Sequence, residues 1–218
     1  MTTQKRTGPT SERLVDETLT LIADRGGSRD VNLREVSRRV GCAHTNAYNY
    51  FASFGALLWE AFRRVLGEYG TFLTRDLDDS LAPEDYLRRI VTNLATFPLE
   101  HPGWYRFIGS DPLDMERIPA DVLGTVTHMK QWLFDVFGAC TPEVPDDVAR
   151  DAANVVLAYI DGETFNLING RAVPGEDIGG RVVGNAMRLI KVLVNEDGTK
   201  SGGFARTPHS YLRLALEG

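Results

Sequence analysis

Apolar residues recur at intervals of three and four along nearly the whole chain, and no long run alternates apolar with polar. The first spacing lines one face of an α-helix, whereas a half-buried strand requires the second. The chain is therefore expected to be all-α. Leu14, Val15, Thr18, Leu21 and Ile22 form one such stripe, with Thr10 or Ser11 as its cap and Gly26–Gly27 as its stop. Asn32 followed by Glu35 has the capping-box spacing and opens a second helix. A short third helix is expected over about 43–50. A fourth starts near Ser53 and runs into the seventies, where Gly67 and Gly70 are expected to loosen it. Pro83 fits the first turn of a fifth helix, and "EHPGWYRFIGSDP" ends it and starts a short sixth. Three longer helices follow, over about 119–138, 146–170 and 176–195, the last two joined by the turn-rich "NGRAVPGED". The tail begins as a Gly/Ser-rich linker, and its "SYLRLALE" has the composition of a last short helix.

With 218 residues and 43% hydrophobic content the chain can bury a substantial core. No apolar run reaches the roughly 18 residues of a membrane span. The opening "MTTQKRTGPTSE" lacks the apolar segment of a secretory signal, so a cytoplasmic protein is expected. Cys42 and Cys140 lack paired metal spacing and are expected to be free thiols. Charge is uneven. Residues 1–51 carry eight Lys/Arg and six Asp/Glu, whereas the remainder carries sixteen and twenty-four. The short N-terminal part is thus the one region suited to face a polyanion. Arginine outnumbers lysine twenty to four, in keeping with a GC-rich bacterial genome.

That region contains "LREVSRRVGCAHTNAYNYF", Leu33 to Phe51. A helix-turn-helix requires two helices crossing through a tight turn, and the pattern satisfies each requirement. Gly41 is the turn glycine, Ser37 the small residue at the crossing, and Val36 and Val40 the inward apolar positions. Cys42 is expected as a small buried plug, with Ala47 and Tyr50 inward on the second helix. The other side of that helix carries His44, Thr45, Asn46, Tyr48 and Asn49. These are hydrogen-bonding residues with no acid among them, where an idle solvated helix usually carries Glu and Lys. An ordinary helical hairpin in an all-α core is the alternative reading of the same residues.

Residues 10–58 resemble the DNA-binding domain of the tetracycline-repressor (TetR) family of bacterial regulators. The resemblance rests on the amphipathic first helix, on "NLREVSRRVGCAHTNAYNYF" with its "YNYF", and on the small/Leu-rich "SFGALL". It implies a homodimeric transcriptional repressor that binds a double-stranded DNA operator and releases it when a small-molecule effector binds. Arg34 and His44 would reach base edges, Thr45, Asn46 and Asn49 would line the same groove face, and Tyr48 and Tyr50 would meet phosphates. The family commonly has a lysine where this chain has Phe54, which removes a phosphate contact that Lys5 and Arg6 of the N-terminal arm would offset. The implied organisation is a DNA-binding domain over 1–52, a helical ligand-binding and dimerisation domain over 53–197, and a tail over 198–218.

Aromatic residues concentrate in "HPGWYRF" and "MKQWLFDVF". An apolar effector pocket is expected around Trp104, Phe107, Trp132, Tyr159 and Phe165, with His128 and Asn166 as orienting polar groups. Plain core packing would use the same aromatics. Dimerisation is assigned to the last two helices. Ala152, Ala153, Val156 and Ile160 form a small/apolar face there that serves either close helix approach or internal core. No cofactor, metal or membrane partner is expected, and no enzyme. The acids of "RDLDDS" lack the repeat of a metal-binding carboxylate cluster, and "GTKSGG" lacks the first glycine of a phosphate loop. The rival is an α-helical enzyme or small-molecule carrier with a purely structural N-terminal hairpin.

Overall fold

The computed structural model describes residues 8–171 and 177–196. All regular elements among them are helical. They run α1 (Pro9–Arg25), α2 (Leu33–Val40), α3 (His44–Ala47), α4 (Phe54–Leu73), α5 (Pro83–Glu100), α6 (Pro102–Gly109), α7 (Ala120–Cys140), α8 (Asp146–Ile168) and α9 (Ile178–Glu196), with a 3-10 turn at Met115–Arg117. None of these helices is long and apolar enough to cross a membrane. Lys5, Arg6 and the tail over 198–218 with its expected last helix lie outside the described residues.

The helix ends follow their local chemistry. The cap of α1 is Gly8, with Ser11 in the third helical position. Ser11 Oγ donates to the Gly8 carbonyl at 2.7 Å and accepts from its N–H at 3.0 Å, so the expected cap lies one turn inside the helix. At the other end Gly26 adopts φ 68°, a left-handed conformation that closes the last turn without a Cβ clash. Asn32 caps α2 as expected, its side chain accepting from Glu35 N–H at 3.0 Å. The Glu35 carboxylate does not complete a capping box but pairs with Arg25 and Arg39.

The chain forms two compact units. The first holds the described residues up to Glu68 together with His101–Gly124, and the second holds Tyr69–Glu100 with the described residues from Thr125 on. In the first, Leu14, Leu21 and Ile22 of α1, Val36 of α2, Ala47 of α3 and Leu57, Ala61 and Val65 of α4 are completely buried. In the second, the core joins Tyr86, Leu87 and Ile90 of α5, Val136, Phe137 and Cys140 of α7, Val156 and Ile160 of α8, and Val182, Ala186 and Ile190 of α9. Each large apolar side chain buried this way contributes about 1.5–3 kcal/mol. Within this unit the buried amide of Asn93 on α5 donates to the carbonyls of Leu73 at 3.1 Å and Arg75 at 2.8 Å. It thereby satisfies acceptors that the end of α4 leaves open.

Ala152, Ala153, Val156 and Ile160 are all buried within the second unit. Their face of α8 is therefore internal core and is unavailable to a partner helix. Among the described residues, the large apolar side chains that these two helices expose are Val155 on α8 and Val192 on α9, at 47% and 49% exposure.

Candidate nucleic-acid interface

The interface is built from α1 inward to α3. Val36, Ser37 and Val40 are buried on the α2 face that meets α1. Arg13 of α1 donates to the Val40 carbonyl at 3.0 Å, and Arg39 of α2 reaches back to Glu17 at 3.0 Å and Asp24 at 3.8 Å. These contacts set the crossing of the first two helices. Gly41 then turns the chain with φ 76°, and Cys42 N–H donates to the Ser37 carbonyl at 2.9 Å. Cys42 itself is half-buried rather than enclosed, and the α3 that follows it is a single turn.

The third helix is shorter than the expected 43–50. After Ala47 the backbone tightens, with Asn49 N–H bonded to the Asn46 carbonyl at 3.1 Å and Tyr50 N–H to the Ala47 carbonyl at 3.0 Å. Such bonds to the third residue back are those of a tightened turn. Ala47 is fully buried and holds this segment to the core, while Tyr50 is half-buried. His44, Thr45, Asn46, Tyr48 and Asn49 are all exposed. Two internal contacts order them. Asn49 donates to Asn46 Oδ1 at 2.7 Å, and the Tyr48 ring stands edge-on to His44 with centroids 5.3 Å apart. Arg34 on α2 is exposed as well. The result is an acid-free hydrogen-bonding surface with a guanidinium on the preceding helix, suited to base edges and phosphates.

A second feature of this unit had no local signal in the sequence. The segment from α6 onward fastens to the end of α1 and the turn after it. Gly103 lies so close to α1 that an added Cβ would sit 2.5 Å from the Ile22 carbonyl oxygen. The Trp104 indole N–H donates to the Leu19 carbonyl at 3.1 Å, and Arg106 donates to the Gly26 carbonyl at 2.8 Å. Asp111 accepts from Ser28 Oγ at 2.9 Å, from Ser28 N–H and from Arg29 Nε at 3.2 Å. Phe107 is buried, edge-on to Phe62 of α4.

The residues expected around an effector are therefore divided. Trp104 and Phe107 belong to the first unit and pack against α1 and α4. Trp132 is buried in the core of the second unit, against which the half-buried Tyr159 packs. Tyr159 also accepts a hydrogen bond from Asn185 of α9 at 3.0 Å. Phe165 is half-buried, and His128 and Asn166 are exposed. Two clefts among the described residues are lined by other groups. One lies along the start of α4 beside Trp59, Arg63 and Arg117, the other beside Phe134, Asp146 and Arg150.

No family model and no curated protein matches the sequence. Solved structures do match. A transcriptional regulator from Rhodococcus sp. RHA1 is 18% identical with a TM-score of 0.67, over 88% of this chain and 99% of that one. A TetR-family regulator from Rhodococcus sp. is 15% identical with a TM-score of 0.66, over 86% and 100%. A TetR variant from Acinetobacter baumannii, solved in complex with minocycline, is 15% identical with a TM-score of 0.61, over 89% and 100%. Each match covers most of both chains, and the chain has the fold of the TetR-family transcriptional regulators.

Proposed function

We propose that the protein is a ligand-responsive transcriptional repressor of a bacterial cytoplasm. It acts as a homodimer and is released from a pseudo-palindromic DNA operator when a largely apolar small molecule binds. The observation that carries this reading is the exposed, acid-free face of His44, Thr45, Asn46, Tyr48 and Asn49 on a turn held by buried Ala47. Such a face offers donors and acceptors to base edges, with Arg34, Tyr48 and Tyr50 placed for contacts around them. The regulator fold supports DNA binding over catalysis, and the minocycline complex of a protein with that fold supports a small-molecule effector.

In this reading the effector sits in the second unit, near Trp132, Tyr159 and Phe165. Trp104 and Phe107 act on the other side of the coupling, tying α6 to the DNA-binding helices. A ligand favours release only by its differential affinity for a conformation in which the two α3 turns of the dimer are badly spaced. Both α4 and α7 pass from one unit into the other and are the continuous elements through which such a change travels.

Selection of bound sequences from a random duplex pool tests the proposal. The expected product is a pseudo-palindrome with half-sites about one helical turn apart, or a little more. Recovery of no consensus, with no binding that weakens as salt rises, would return the hairpin to a structural role.

A further inference from the structure

Ten arginines fall in the described part of the first unit, and eight are engaged. Arg13 and Arg106 donate to the carbonyls of Val40 and Gly26. Arg25 and Arg39 share Glu35. Arg29 pairs with Asp111, Arg63 with Glu60 and Asp121, Arg64 with Asp16, and Arg117 with Asp114. Arg34 and Arg38 alone have no side-chain hydrogen bond or ion pair among the described residues. Both are exposed, and they stand one turn apart on α2. The contrast with the next residue is informative. Arg39 gathers three carboxylates, Glu17, Asp24 and Glu35, while Arg38 gathers none. Glu17, Asp24 and Glu35 thus gather around Arg39, the other paired acids of this unit meet Arg29, Arg63, Arg64 and Arg117, and among the described residues none reaches Arg34 or Arg38.

Among the described residues, α3 and the start of α4 supply no further cation. The segment from Ala43 to Phe51 has no lysine or arginine, and α4 begins with Phe54. We infer that Arg38 is a phosphate-binding residue which, together with Arg34, forms a two-cation clamp on one strand while the turn of α3 faces the bases, so that Arg34 meets a phosphate here and not the base edge that the family resemblance implies. Guanidinium groups suit this task because their N–H fork matches the oxygens of a phosphate. Side chains four apart on a helix lie on one face, so the two can engage neighbouring phosphates of a strand. A basic residue in the last turn of α2 also complements the helix dipole. That role needs no freedom from carboxylates, and Arg39 in the same turn already supplies it.

This inference rests on the DNA-binding reading above, and the experiment separates the two. Binding of the full-length protein to a selected operator and to a mixed-sequence duplex is measured against salt for wild type, Arg38→Gln and Arg38→Lys. Each phosphate contact adds about 0.9 to the slope of log affinity against log salt. Arg38→Gln is expected to lower that slope by about 0.9 per protomer. It should weaken both duplexes by the same factor, leaving the preference for the operator unchanged. Arg38→Lys keeps the charge and should restore the slope. Thermal unfolding of the two variants within a few degrees of wild type would exclude a fold defect. An unchanged slope in Arg38→Gln, with wild type binding in a salt-dependent way, overturns the clamp and leaves the DNA-binding reading standing. So does a loss confined to the operator, which would make Arg38 a base reader. A wild-type protein without salt-dependent DNA binding overturns both.

Discussion

Asp111 and Ser28 lie eighty-three residues apart in sequence, yet the Asp111 carboxylate accepts both the N–H and the hydroxyl of Ser28. The carboxylate side chain is only 4% exposed, so these are bonds that water does not readily replace. They fix the turn between α1 and α2, from which α2 and then α3 start. Substituting Asp111 by Ala leaves two donors unsatisfied and is expected to cost about 1–3 kcal/mol of stability. Asp111→Asn keeps an acceptor and loses mainly the pairing with Arg29, which is well exposed and contributes little. Urea unfolding of both variants checks this. An Ala variant within about 0.5 kcal/mol of wild type would show that the turn holds itself.

Gly67 and Gly70 flank the point between Glu68 and Tyr69 where α4 passes from one unit to the other. The helix runs through both without interruption. Neither glycine is demanded by packing. An added Cβ meets nothing within 4 Å at Gly67, and at Gly70 meets only Met129 Cε at 3.6 Å. Each Gly→Ala substitution is therefore expected to stabilise by about 0.5–1 kcal/mol, because alanine loses less backbone entropy in a helix. If the glycines let α4 bend during release, the double variant should bind operator as well as wild type but need more effector to let go. Higher stability with an unaltered effector response would assign the bending elsewhere.

The sequence made the local half of this architecture readable. Asn32, Gly41 and Gly26 mark helix ends by side-chain chemistry or by left-handed backbone, and both causes act within a few residues. Val36, Ser37 and Ala47 follow from helical period and are buried. What stayed illegible depends on partners far away in the chain. Trp104 and Phe107 have the composition of a pocket wall, and only the fold brings Leu19 and Phe62 to them. The small residues of α8 raised the same ambiguity. Ala153 and Val156 suit a partner chain and a monomer core equally until the neighbouring helices are placed. Arg38 was hidden for a different reason: a missing ion pair has no signature in sequence.

The core of the second unit makes a prediction about pH. Burial pushes the Cys140 thiol up to about 12, and burial together with the charge of Asp79 pushes the Tyr86 phenol up to about 12. Both groups are neutral in the fold and lose protons more easily when unfolded, at about 9 and about 10. A raised folded pKa gives stability that is complete below the unfolded value and declines as pH rises toward the folded one. Stability should thus be level up to about pH 9 and then fall by at most about 1.4 kcal/mol per pH unit per group, Cys140 acting first. Cys140→Ala should flatten the fall between pH 9 and 10. An identical pH profile in that variant would place the alkaline loss elsewhere.

The proposed dimerisation through α8 and α9 would use the exposed Val155 and Val192, because the alanine face is buried. Replacing both by aspartate puts charge at outward positions and leaves the core untouched. Sedimentation at micromolar concentration should then show a shift from dimer toward monomer while helix content stays constant. A dimer of undiminished strength would move the interface off these helices.

The exposed turn of α3 gives the last test, because its residues differ in what they can read. The exposed imidazole of His44 packs at right angles to the Tyr48 ring and carries two nitrogens that can address a base. The Tyr48 hydroxyl, at the end of a ring that is half exposed, suits a phosphate, which carries no sequence information. Tyr48→Phe is expected to weaken operator and mixed-sequence DNA about equally. His44→Ala should relax the preference at one base position in each half-site by about 1–3 kcal/mol of discrimination. Competition binding against operators carrying single base changes measures both effects on one scale. A consensus unchanged in His44→Ala would mean that α3 does not enter the groove at that residue. A loss confined to certain bases in Tyr48→Phe would make the tyrosine the reader instead.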